Sequence, residues 1–437
     1  MSAMSWPVFL LLRCVLLGVA CVLAQNQNHN IHQGEEECDA VLSSPEPFPR
    51  DVEWRLPFGC DFSGYFVEVA LGFIPALADT PHFSKQNRLW LLKGACPESF
   101  LEKLTLKERR VLAEHMIEDD DRASERTSKS IAIEHGDPCR IRRFPARLTP
   151  HALVLRVMSE GRHSKNYVDC MRRSGADEFW LPSEWDAGVL ASQGIPAEKI
   201  FTVPEIVPDK FFVPRRLSSS TNGPFTFVSV HKWEYRKGWD VLLKAYWEEF
   251  GKDGGGVLLR LKTYVPHWEI VPGKPSTPQE YIEQYAKSEF GRSLEELAPV
   301  EVVEEEISRS ELRDAFYATA DAFVLASRGE GWGLPQVEAM LMELPVIATN
   351  FSGPTAYLHA NHSFPLRYVD VDVETGYANP DKDHLRYLLR KVISMSPEAR
   401  KRVGKNARSF VKKNFGQKAV TNIIMQRLRA LHERKKL

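Results

Sequence analysis

Glu330 and Glu338 stand eight positions apart in SRGEGWGLPQVE (residues 327–338), with Gly331, Gly333 and Pro335 between them. Two glycines and a proline argue against one continuous helix across this stretch. The pattern predicts a loop ending near Gly333 and then a helix with Pro335 in its first turn, running through Met342. Glu330 then belongs to the loop and Glu338 lies one turn inside the helix. The apolar run AFVLA (Ala322–Ala326) just upstream reads as a buried strand, so the unit is strand, glycine-rich loop, helix. Free N–H groups and the dipole at such a helix start suit a phosphate, and Gly331, Gly333 and Leu334 lie where it would approach the backbone. Carboxylates on either side are placed to accept hydrogen bonds from sugar hydroxyls.

A second chemical candidate is His135, in EHGDP (Glu134–Pro138) after the apolar strand pattern Ser130–Ile133. A histidine at a strand end facing a cleft can hydrogen-bond a sugar or carry a proton near neutral pH. The third is the turn HKWEYRKG (His231–Gly238), which follows a strand pattern at Phe225–Val230 and precedes an amphipathic helix from Trp239 to Phe250.

The segment SRGEGWGLPQVEAM, followed by LPVIATNFSGPTAYL (residues 344–358), resembles the donor-site signature of retaining glycosyltransferases of the GT-B fold, whose mark is E-x7-E. The resemblance implies that Glu330 lies near the transferred sugar and Glu338 on the ribose of the nucleotide. It also implies that Lys237, with Arg236 beside it, holds the donor diphosphate. Most members carry an Arg six residues before that Lys; this chain has His231 there, with Lys232 next to it. The stretch PFGCDFSGYF (Pro57–Phe66) resembles the family's first glycine-bearing loop with a single glycine, Gly64, ahead of a helix expected over Val67–Leu77. His135 is the acceptor-side candidate. Arg156 and Glu160, at the end of the strand pattern Leu153–Val157, are expected in ordinary salt bridges.

These elements need a frame of two domains, which 437 residues supply. The fold expected is α/β: two doubly wound Rossmann-like domains facing across a cleft. The divisions are a targeting segment at 1–24, a flexible stem at 25–54, an acceptor-side domain at 55–215, a linker at 216–224, a nucleotide-sugar domain at 225–415, and a helix at 416–437 returning to the first domain. Residues 7–24 are apolar except for Arg13. They read as a cleaved secretory signal or as an uncleaved anchor, since their length falls slightly short of the roughly 20 residues that span a bilayer. Either sends the chain into the endoplasmic reticulum or Golgi lumen, or outside the cell.

Cys38, Cys60, Cys96, Cys139 and Cys170 agree with an oxidising compartment and one or two disulfides. Asn361, ahead of Asn350, is the sequon expected to carry a glycan. A net charge of −1 calls for neither nucleic acid nor an anionic membrane. No His/Cys cluster suggests a metal. The expectation is therefore a retaining hexosyltransferase-like enzyme with no cofactor or required metal, a nucleotide-sugar donor, and a carbohydrate, glycoprotein or lipid acceptor. Membrane contact is expected only through an uncleaved anchor. Two alternatives stand beside it: a catalytically silent GT-B protein that binds glycans or a partner enzyme, and an enzyme that cleaves or phosphorolyses glycosidic bonds on the same scaffold.

Overall fold

The computed structural model describes residues 48–56, 64–83, 89–92, 96–117, 130–140, 150–214, 223–251 and 256–435. The targeting segment, most of the stem, Cys38, Cys60, the loop at 57–63 and linker positions 216–222 lie outside them.

Two parallel sheets carry the fold. In the first, β1 (Val52–Arg55), β2 (Leu89–Leu92), β3 (Met116–Ile117), β4 (Ile131–His135), β5 (Ala152–Arg156), β6 (Glu178–Leu181) and β7 (Ile200–Thr202) run in the order 3-2-1-4-5-6-7. In the second, β8 (Phe225–Val230), β9 (Val257–Lys262), β10 (Val300–Val303), β11 (Ala322–Leu325), β12 (Val346–Thr349) and β13 (Phe364–Leu366) run in the order 10-9-8-11-12-13. Both orders reverse direction beside the first strand, the arrangement of doubly wound nucleotide-binding domains, and ligands bind such sheets at the carboxyl ends of the strands. The interior strand β11 is buried at every position, which explains its continuous apolar reading.

Several boundaries agree with the periodicity. The strand at Phe225–Val230 is found as read, and the helix predicted from Trp239 spans Trp239–Glu249. Gly64 is the first residue of a helix, Gly64–Glu68, which continues through a π-helical turn, Val69–Phe73, into Ile74–Ala78. The helix thus begins three residues before the expected Val67. Gly64 is a helical residue with open space at its Cβ position, and no tight turn requires a glycine there.

The last helix, Gln417–Arg434, lies against the first sheet's domain. Arg427 and Arg434 both donate to the Glu178 carboxylate, which is buried at the start of β6, and Lys435 pairs with Asp177 at 2.7 Å. The basic end of the chain, which its own helix dipole would suffice to explain, thus answers a pair of carboxylates far away in sequence. Cys139 and Cys170 form a disulfide joining the segment after β4 to the helix Lys165–Arg173. Asn350 and Asn361 are both exposed, so burial does not distinguish the two sequons.

Candidate functional site

Three loops at the carboxyl ends of β8, β11 and β12 meet around Glu330. The first, residues 231–238, ends in a short turn, Tyr235–Lys237, and Gly238 caps the next helix with φ 63°. A Cβ at Gly238 would lie 1.8 Å from the carbonyl oxygen of Ala326, so glycine lets this turn press onto the end of β11. Arg328 completes the clamp. Its amide donates to the Arg236 carbonyl at 2.7 Å, and its guanidinium donates to both Asp240 oxygens and to the Tyr235 carbonyl, each at 2.7 Å.

That clamp brings the cationic turn to the carboxylate loop. Lys237 Nζ lies 2.8 and 2.7 Å from the two oxygens of Glu330, and Arg236 Nη1 lies 3.3 Å from one of them. Burial pushes the Glu330 carboxyl up, but Lys237 and then Arg236 outweigh it and hold the group below its usual range. Burial, and then Arg236, lower the Lys237 ammonium. The third loop grips the Glu330 backbone: the Glu330 amide donates to Ser352 Oγ at 2.8 Å, and the Gly353 amide donates to the Glu330 carbonyl at 3.0 Å. Ser352 is a buried non-glycine residue with φ 56°, a strained conformation of the kind that gathers at functional loops.

Gly333 caps the helix Leu334–Leu341, which begins as expected with Pro335 in its first turn. At Gly331 a Cβ would meet Met158, and at Gly333 it would meet Gln336 and the Tyr357 hydroxyl. Glycine at these two positions lets Met158, Gln336 and Tyr357 approach the loop backbone. Leu334 is half-buried. Glu338 lies inside the helix, buried, and accepts a hydrogen bond from the Tyr317 hydroxyl at 3.1 Å.

Burial pushes Glu338 up to about 7, against the opposing pull of Arg309. An acid raised in the folded state binds more protons than in the unfolded chain between the two pKa values, so its contribution to stability falls as pH rises from about 4.5 through 7. Glu338→Gln should remove this slope. Relative to that variant, wild type should lose at most about 3 kcal/mol between pH 4.5 and 8, at roughly 1.4 kcal/mol per pKa unit. Urea titrations of both proteins at several pH values would show equal slopes if Glu338 is ionised throughout.

The structure does not bring every predicted residue to this cluster. His135 was expected to face a cleft, but its ring is buried with Nε2 3.4 Å from a Glu68 oxygen. Burial, reinforced by Arg156, drives its pKa well below the usual histidine value, so it is neutral. The reason is packing: Glu68, Arg156, Asp186 and Glu205 form a buried polar layer beneath the first sheet's carboxyl edge. His231 is also buried and lowered to about 4, chiefly by burial, so it supplies no charge where an Arg was expected. Lys232 does not take that place either; its ammonium sits 4.8 Å over the Trp268 ring.

Residue-by-residue reading missed Arg328, Ser352 and Tyr317. Arg328 and Ser352 lie inside the segments singled out, in SRG and SGP, but only the distant partners give them roles. Among the described residues no group of His, Cys, Asp and Glu side chains could hold a metal ion, and no helix is long and apolar enough to cross a membrane.

Residues 305–410 match the family described as Glycosyl transferases group 1. No curated protein matches the chain's sequence. Among solved structures, HepE from Anabaena in complex with UDP and glucose shares the fold with a TM-score of 0.61 at 13% identity, over 87% of this chain and 100% of that one. Sucrose-phosphate synthase from Thermosynechococcus elongatus aligns with a TM-score of 0.59 at 14% identity, over 88% and 100%. TarM from S. aureus, in a complex containing UDP, aligns with a TM-score of 0.52 at 12% identity, over 71% and 57%. With the Glycosyl transferases group 1 region spanning the glutamate loop and two facing doubly wound sheets around it, the chain is a glycosyltransferase of the GT-B fold.

Proposed function

We propose that this enzyme transfers a sugar with retention of configuration, from a nucleotide-diphospho-sugar to a glycan, glycoprotein or other acceptor in the secretory pathway. The observation that carries the reading is the contact of Lys237 with both oxygens of Glu330, with Arg236 on the same carboxylate. Cations at that point neutralise the charge that develops on a departing diphosphate, the main electrostatic help available without a metal or cofactor. Glu330 orients the transferred sugar and Glu338 the ribose. The acceptor enters over the first domain, on the side of His135. Retention rests on the E-x7-E resemblance. The compartment rests on the apolar N-terminal segment, and the Cys139–Cys170 disulfide agrees with it.

The solved complexes of HepE and TarM contain UDP, so UDP-sugars are the first donors to test. A bound donor should raise the apparent thermal stability by mass action. The expected outcome is stabilisation by one nucleotide sugar and, with its acceptor, a product whose anomeric configuration matches the donor. An inverted product would sink the retaining mechanism, and stabilisation by no nucleotide sugar would sink the donor assignment.

A further inference from the structure

Glu160 joins the cationic turn from the other domain. Arg236 carries its guanidinium 3.0 Å from the Glu160 carboxylate, 3.2 Å from Glu234 and 3.3 Å from Glu330. Two cations, Arg236 and Lys237, thus face three carboxylates. The neighbouring bases add nothing: His231 is neutral, Lys232 sits over Trp268, and Arg328 is bound to Asp240. A diphosphate entering this arrangement would meet no net positive charge.

The backbone around Glu160 is seated just as closely. A Cβ at Gly329 would lie 1.9 Å from the Glu160 carbonyl oxygen, and one at Gly331 would lie 2.9 Å from Met158. On the far side, Gly161 packs against the carbonyl of Thr375, and Gly376 against the amide of Arg162. Segment 158–162, at the carboxyl end of β5, therefore fills the glycine surface of the donor loop with its own chain. Glu160 is the most exposed of the three carboxylates on Arg236, at 43% against 14% for Glu234 and 7% for Glu330, so it is the one that leaves at the least desolvation cost.

We propose that Glu160 is an intramolecular competitor of the donor diphosphate, placed on Arg236 by the first domain. The donor binds only as segment 158–162 withdraws, which exchanges one carboxylate for the phosphate oxygens on the same guanidinium. This inference rests on the assignment of Arg236 and Lys237 to a nucleotide-diphospho-sugar. It makes Glu160 a gating residue for donor entry, through a local movement of segment 158–162 off Arg236.

The test uses the full chain, wild type and Glu160→Gln, titrated calorimetrically with UDP, GDP and ADP at one fixed ionic strength. Glutamine keeps the shape and removes the charge, so the nucleotide that binds wild type should bind the variant about tenfold more tightly. Hydrogen exchange gives a second readout: that nucleotide should speed exchange of the wild-type amides at residues 158–162, among them Ser159, whose amide donates to Asp186 at 2.8 Å. A gain of less than about threefold, or weaker binding by the variant, overturns the competition. Unchanged exchange in the nucleotide-bound wild type overturns the withdrawal. Binding of none of the three nucleotides by either protein overturns the donor assignment itself, and the inference with it.

Discussion

Lys237→Ala should lower turnover about 100- to 1,000-fold, the loss seen when one preorganised charge-stabilising group is taken from a reacting centre. The expectation follows from position. Lys237 is the cation held closest to Glu330, at 2.7 and 2.8 Å, and Arg236 is farther from that carboxylate and shared with two others. If Lys237 acts on the leaving diphosphate, kcat falls and kcat/KM falls with it, because that charge develops only in the transition state. If its role is to neutralise Glu330 in the folded protein, stability falls and turnover of the folded fraction survives. Glu330→Gln separates the two readings further. It removes the charge that Lys237 offsets, and activity should still drop if the carboxylate orients the sugar. Steady-state kinetics beside circular dichroism would decide, and either variant keeping more than about a tenth of wild-type turnover would sink the assignment of that residue.

Arg156→Met should destabilise the first domain by about 3–5 kcal/mol, because it strands a buried charge. Arg156 is fully buried. Its Nε donates to Glu68 at 2.7 Å, its Nη2 lies 2.6 Å from the same oxygen, and Nη1 donates to the Val203 carbonyl at 2.6 Å. Burial already raises Glu68 to about 7, with Arg156 opposing that rise. Without Arg156 the carboxyl should hold its proton to higher pH. The sign follows: an acid whose folded pKa is raised loses stability as pH climbs from about 4.5 through the folded value, so the deficit of the variant should be larger at pH 8 than at pH 6. Pairing Arg156→Met with Glu68→Leu should recover much of the loss, since both charges then leave together. Urea denaturation of the two single variants and the double variant measures this, and a single-variant cost under about 1 kcal/mol would show that the layer is not closed to water.

Much of the frame was legible in the chain. The strand at Phe225–Val230 and the helices near Trp239–Glu249 and Leu334–Leu341 show in apolar periodicity and in the glycines and proline at their ends. These are short-range signals, set by which residues can share a face or take a positive φ. The glutamate loop was legible for the same reason, since Gly331, Gly333 and Pro335 allow few backbones. What those glycines make room for was not. A Cβ at Gly331 would meet Met158 of the first domain, a contact that no local pattern announces.

The sequence by itself therefore determined the two doubly wound sheets, the glutamate loop and the presence of a Lys-Gly turn ahead of a helix. Tertiary structure alone decided which charges meet. Arg236 binds Glu160 as well as Glu330, Glu178 receives Arg427 and Arg434 from the end of the chain, and His135 lies inside against Glu68. The physical reason is range. Backbone conformation depends on neighbours a few residues away, whereas the partner of a charge, and the burial that sets its pKa, depend on surfaces that adjoin only once both domains have folded against each other.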